Sequence, residues 1–124
     1  MKLRLRENSI RLRLLQSEIF NLRESGTISE KIRFDAFQTL TYTIAVSRQT
    51  EKISARFSDK EIIVEIPFAA AQNWLATNLV GLESKQAIDE NSTLKITIEK
   101  DFACPERPLD ADNADAFPNP KTLC

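Results

Sequence analysis

Lys2, Arg4 and Arg6 alternate with Leu3 and Leu5, and Arg11 and Arg13 alternate with Ile10, Leu12 and Leu14. Side chains two apart on a strand share a face, and paired strands stand ~5 Å apart. Glu7-Asn8-Ser9 separates the runs, so they read as a hairpin with one apolar face and one basic face. Five cations then sit together with no carboxylate between them. Like charges opposite each other are destabilising, so the face calls for a counter-charge. Guanidinium groups match phosphate bidentately, which points to a small phosphate-like anion. An acidic neighbouring strand or a partner protein would meet the same need. The plain structural reading is a solvated edge whose arginines discourage aggregation.

Other candidates are weaker. Asp110, Asp112 and Asp115 are spaced closely enough to hold a divalent cation, but the glycine and closing glutamate of a calcium loop are missing, so a solvated tail is expected. Cys104 follows the acidic run Glu99-Lys100-Asp101 and reads as a small buried hydrophobe rather than a reactive thiol. Cys124, at the terminus, reads as exposed and mobile. Trp74 and Phe68 could line a pocket, yet a stripe at helical spacing is usually core. The chain has no histidine, which excludes the commonest general base and histidine zinc sites. Gly26 and Gly81 are its only glycines, too few for a glycine-rich phosphate loop. No catalytic residue, metal site or cofactor is expected.

The elements that must position these residues are mostly strands. Period-two alternation returns at Ile28, Ile32 and Phe34, at Leu40 to Val46, at Ile53 to Phe57, at Ile62 to Ile66 and at Leu94 to Ile98. A shorter strand near Val80 to Lys85 is expected to pair with the last one across Asp89-Glu90-Asn91-Ser92. Two segments break the alternation. Ser17 to Ser25 predicts a helix with Ser17 as N-cap and Gly26 as the C′ residue. Pro67 to Asn78 predicts a second, with proline at its first position and Phe68, Ala71, Leu75 and Leu79 on one stripe. Residues 103–124 hold four of the five prolines and no periodicity, and read as a tail or an extended strap, with Phe102 and Phe117 as the anchors if it packs.

These elements fit one α+β domain over residues 1–102, followed by a proline-rich acidic tail over 103–124. The expected architecture is a mainly antiparallel sheet of seven or eight strands, or an open barrel, its apolar face covered by two short helices. No internal repeat is visible. At 124 residues the chain hides about two-thirds of its unfolded surface on folding, enough to need neither disulfides nor a metal. Residues 1–60 carry 12 basic and 7 acidic side chains, a net of +5, and residues 61–124 carry 5 and 11, a net of −6. Acidic side chains at Glu61, Glu65, Glu99, Asp101, Asp110, Asp112 and Asp115 are therefore expected beside the basic strands. The negative total and the lack of a basic recognition helix argue against nucleic acid. No apolar run approaches the ~20 residues that span a bilayer, and the charged start lacks the apolar stretch of a signal peptide. A cytoplasmic protein is expected.

The blocks MKLRLRENSIRLRLLQSE (1–18), VGLE (80–83), EKDFAC (99–104) and DAFPNP (115–120) resemble, as a set, a small uncharacterised bacterial protein family, a domain of unknown function. The resemblance spans nearly the whole chain and implies a bacterial cytoplasmic protein with no known activity.

Three functional readings follow. The leading one is a non-catalytic binding module that takes a small anion or a partner protein on Lys2, Arg4, Arg6, Arg11 and Arg13. The alternative is a metal-dependent phosphate-ester or triphosphate hydrolase, with arginines facing Glu61, Glu65, Glu99 and Asp101 across a charged barrel. That layout is similar to the triphosphate tunnel enzymes, although Lys2, Arg4 and Arg6 replace their paired-glutamate motif. The third is a structural, oligomer-forming protein that adds strands edge to edge.

Overall fold

Alternation becomes strand at every predicted place. The computed structural model describes residues 1–104, 106 and 110–119. Its strands are β1 (Lys2–Arg6), β2 (Ser9–Leu14), β3 (Thr27–Arg33), β4 (Thr39–Ser47), β5 (Ser54–Ser58), β6 (Glu61–Pro67), β7 (Gly81–Ala87) and β8 (Thr93–Lys100). The helix α1 (Gln16–Ser25) follows β2, and α2 (Phe68–Ala76) follows β6. A 3-10 turn covers Ala111–Ala114.

The eight strands divide into two four-stranded sheets, ordered β1-β2-β8-β7 and β3-β4-β6-β5, and they do not close into a barrel. Each sheet consists of two antiparallel hairpins joined through a parallel central pair, β2 with β8 and β4 with β6. Alternation reveals which face a residue takes but not which strand lies beside it, so the division and the parallel pairs are new. One core joins both sheets, built on Leu12, Leu14, Ile96 and Ile98 from the first and Ile44, Val64 and Ile66 from the second, all buried. The second sheet therefore covers the first, and the helices add to it through Ile19, Leu22, Ala71, Trp74 and Leu75. Trp74 is fully buried in this core.

The chain is a duplication, contrary to the absence of a repeat in the sequence reading. Both halves run hairpin, helix, hairpin, and each gives one hairpin to each sheet. The β1–β2 turn has positive φ at Glu7 and Asn8, and the β5–β6 turn has it at Asp59 and Lys60. Both are turns of the I′ kind, matched to strand twist. The β3–β4 loop folds around Asp35, whose carboxylate accepts from the Phe37 and Gln38 amides. The β7–β8 loop does the same around Asp89, which accepts from the Asn91 amide and the Ser92 hydroxyl. The corresponding strands are alike at four of six positions, Thr39-Leu-Thr-Tyr-Thr-Ile44 against Thr93-Leu-Lys-Ile-Thr-Ile98.

Helix ends explain the remaining differences. Ser17 is not the N-cap of α1; Leu15 is, and it has no capping side chain. The caps come from elsewhere: Glu18 accepts from the Leu15 amide (2.9 Å), and Asp115 accepts from the Ser17 amide (3.0 Å). A carboxylate at a helix start also suits the helix dipole. Gly26 ends α1 at φ 76°, as its type requires. Pro67 is the N-cap of α2 rather than its first residue.

Residues 110–119 pack on the domain as a strap. Phe117 pairs with Phe102 in a β-bridge, with ring centroids 6.2 Å apart. The Gln16 amide donates to the Asp115 carbonyl (2.9 Å) and the Phe117 amide to the Asp101 carbonyl (2.8 Å).

Candidate functional site

The hairpin register puts Lys2 opposite Arg13, Arg4 opposite Arg11 and Arg6 opposite Ser9. All five predicted cations therefore share the outward face of the first sheet, while Ile10, Leu12 and Leu14 point into the core. The parallel partner β8 extends each row. Arg11 is followed by Thr97, Arg13 by Glu99 and Ser9 by Lys95. Then β7 adds Glu83 beside Thr97 and Lys85 beside Lys95. Lys85 and Lys95 belong to this face and were missed in sequence, because the parallel pairing of β2 with β8 is not encoded in alternation.

Counter-charge is supplied at one end only. Arg13 donates from Nε to Glu99 Oε1 at 2.6 Å, and Arg11 Nε stands 3.8 Å from the same oxygen. Lys2 Nζ lies 2.8 Å from Asp101 Oδ2 and 3.6 Å from Asp112 Oδ2. The hydrogen bond to Asp101 raises the Lys2 pKa above its ordinary value against the effect of burial. At the other end, Arg6 has a 4.0 Å approach to the exposed Glu7, and Lys95 one of 4.0 Å to Glu83. Such loose, exposed pairs contribute little. No carboxylate of the described residues reaches Arg4 within salt-bridge distance. Arg4, Arg6, Arg11 and Lys95 line a shallow depression of about 220 Å³ together with Ser9 and Thr97.

The expected complementarity is thus half present. Glu99, Asp101 and Asp112 stand beside the basic strands. Glu61 and Glu65 do not, because β6 lies in the other sheet, where Glu61 accepts from Thr43 (2.7 Å) and Glu65 pairs with Arg56. The charged barrel of the hydrolase reading is not formed: the sheets stay open and these carboxylates face away from the arginines. Asp110, Asp112 and Asp115 do not converge either. Asp110 caps the 3-10 turn, Asp112 meets Lys2 and Asp115 caps α1. Cys104 is half-buried and disulfide-bonded, not a free thiol. Cys124 lies outside the described residues.

A duplicated two-sheet α+β protein with a cation-rich outer sheet face is the class this geometry defines. The chain belongs to a family of unknown function, DUF7009, whose model matches residues 1–121. No curated protein and no solved structure matches it. No helix of the described residues is long and apolar enough to cross a membrane.

Proposed function

We propose that the protein is a non-catalytic binding module that takes a phosphate-bearing anion on the outer face of its first sheet. One observation carries the reading. Arg4, Arg6, Arg11 and Lys95 line a depression with Thr97 and Ser9, and only loose carboxylate contacts reach these cations (Glu99 at 3.8 Å from Arg11, Glu7 and Glu83 at 4.0 Å from Arg6 and Lys95), whereas Asp101 and Glu99 pair closely with Lys2 and Arg13. Lys2 and Arg13 then serve to hold the strap and β8 in place, and the other cations meet the ligand. Guanidinium groups on adjacent strands present their donors side by side, which suits the tetrahedral oxygens of phosphate. Their mutual repulsion is relieved when an anion binds, so the site favours ligands of higher charge.

Pyrophosphate is the direct probe. It is expected to raise the melting temperature in a concentration-dependent way, since a ligand that binds only the folded state stabilises it. The double substitution Arg4→Gln and Arg11→Gln removes opposed like charges, so the variant folds as well as the parent and loses the shift. A panel of phosphate compounds with no effect on the parent protein rules the reading out. We also propose that the protein acts in a bacterial cytoplasm. Recovery of the native protein with the cytosolic fraction is expected, and recovery outside the cytosol would overturn the assignment.

A further inference from the structure

Lysine stands where the fold calls for an apolar residue. In the duplication, the inward positions Leu40, Tyr42, Ile44 and Val46 of β4 match Leu94, Ile96, Ile98 and Lys100 of β8. Lys100 is 6% exposed. Taking an ammonium out of water is costly unless it is paired. Its Nζ donates to the backbone carbonyl of Thr77 at 2.5 Å and sits 5.5 Å from the centre of the Phe117 ring. Arg23 of α1 comes close, donating to the backbone carbonyl of Leu75. Both acceptors belong to the C-terminal end of α2. That end carries about half an elementary negative charge, which two full cations exceed. Among the described residues, no carboxylate lies within salt-bridge distance of Lys100 or Arg23. Burial, and then the charge of Arg23, lower the Lys100 pKa.

These cations open on a cavity of about 650 Å³ between α1, the end of α2 and the strap. The size is that of a small-molecule site. Its walls include Ile19, Phe20, Phe102 and Phe117, and the Gln16 side chain reaches it from α1. The matching groove of the other half is about 290 Å³, with Val46 in the place of Lys100 and no strap residue in its lining. Arg23 lines both and Phe68 lines the twin, so two features set the larger cavity apart: the buried Lys100, and the cover of Phe117 and Pro118 from the strap.

We infer that this cavity binds a small amphiphile with an aliphatic or aromatic body and one terminal carboxylate. The body lies against Phe20, Phe102 and Phe117. The carboxylate sits between Lys100 and Arg23 and supplies the missing negative charge. A singly charged head fits better than a phosphate, because the helix end already offsets part of the positive charge. This site is separate from the outer face of the first sheet, and neither depends on the other.

Octanoate is the probe, measured by isothermal titration calorimetry on the whole chain, with octanol and octylammonium as controls. Octanoate is expected to bind at one site, at least tenfold more tightly than octanol, and octylammonium is not expected to bind. Lys100→Met keeps the stem and removes the charge at a position where the other half carries valine. It is expected to fold and to weaken octanoate at least tenfold while leaving octanol unchanged. Ala76→Phe, at an exposed wall position, fills the cavity from the surface and is expected to abolish binding of both. Arg4→Gln with Arg11→Gln is expected to leave octanoate affinity unaltered. Equal affinity for octanoate and octanol, undiminished octanoate binding in folded Lys100→Met or in Ala76→Phe, or no binding to the parent protein would each overturn the inference.

Discussion

Tyr42 shows how one side chain reports on the seam between the sheets. Its hydroxyl donates to Glu30 Oε2 (2.9 Å) and stands 3.1 Å from the Met1 carbonyl oxygen. Glu30 also takes the Met1 ammonium, which it shares with Glu18. Burial, and then the hydrogen bond and charge of Glu30, push the Tyr42 pKa up from 10.0 to about 12. A raised phenol pKa gives stability that is whole below pH 10 and is lost as pH rises from 10 through about 12. Tyr42 is the only tyrosine in the chain, so phenolate absorbance reads it alone. The expected midpoint in the folded protein is near 12, and Glu30→Gln is expected to bring it down; a midpoint near 10 in the parent protein would contradict the packing of this seam. At this scale the sequence was legible where charge and periodicity act locally. The five cations share a face because alternation places them there. Lys95 and Lys85 were not legible as their neighbours, since nothing local brings residue 95 beside residue 9.

Elements were legible to within a residue or two, and their exceptions are set by contacts remote in sequence. Ser17 has the right type for an N-cap, but Asp115, nearly a hundred residues away, caps α1 instead. Gly81 is a second case. It opens β7, where a Cβ would lie 2.6 Å from the Ile98 carbonyl oxygen and 2.9 Å from Glu99 Cβ. Backbone oxygen does not move aside cheaply, so Gly81→Ala forces β7 away from β8. The expected loss is roughly 1–3 kcal/mol, in line with overpacking elsewhere, and is read by urea denaturation at constant m. An unchanged midpoint would mean that the β7–β8 register differs from that described. The other seam of the sandwich, between β5 and β7, is held by a side chain acting as backbone. Gln86 accepts from the Ala55 amide (2.8 Å) and donates to the Ala55 carbonyl (2.9 Å), and Ser84 donates to the Ile53 carbonyl. Its amide stands in for the strand that would close a barrel, and sequence alone does not separate this Gln from any solvated one.

The two halves of the molecule cannot stand apart. Each contributes a hairpin to both sheets, so cutting the chain in the β4–β5 connection strips β2 of β8 and β4 of β6. The apolar inner faces of those central strands would then lie bare. We expect fragments 1–49 and 50–124 to be unfolded alone by circular dichroism and to regain strand signal when mixed. A folded isolated half would show that the sheets are stable without exchange. The charge split between the halves gains its meaning here. The basic β1–β2 hairpin meets Glu99 of β8 and the acid groups of the strap, while Glu61 and Glu65 stay with their own sheet. From sequence alone came the strands, the helices, the single basic face and a C-terminal segment distinct in composition, because each rests on local periodicity, helix-end chemistry or a shift in composition; that this segment packs as a strap through Phe102 and Phe117 was decided by the structure. The duplication, the parallel central pairs, the caps from the strap and the lysine-lined cavity were decided only by tertiary structure. Each depends on which distant strand lies alongside, and that is settled by burying two apolar sheet faces against one another.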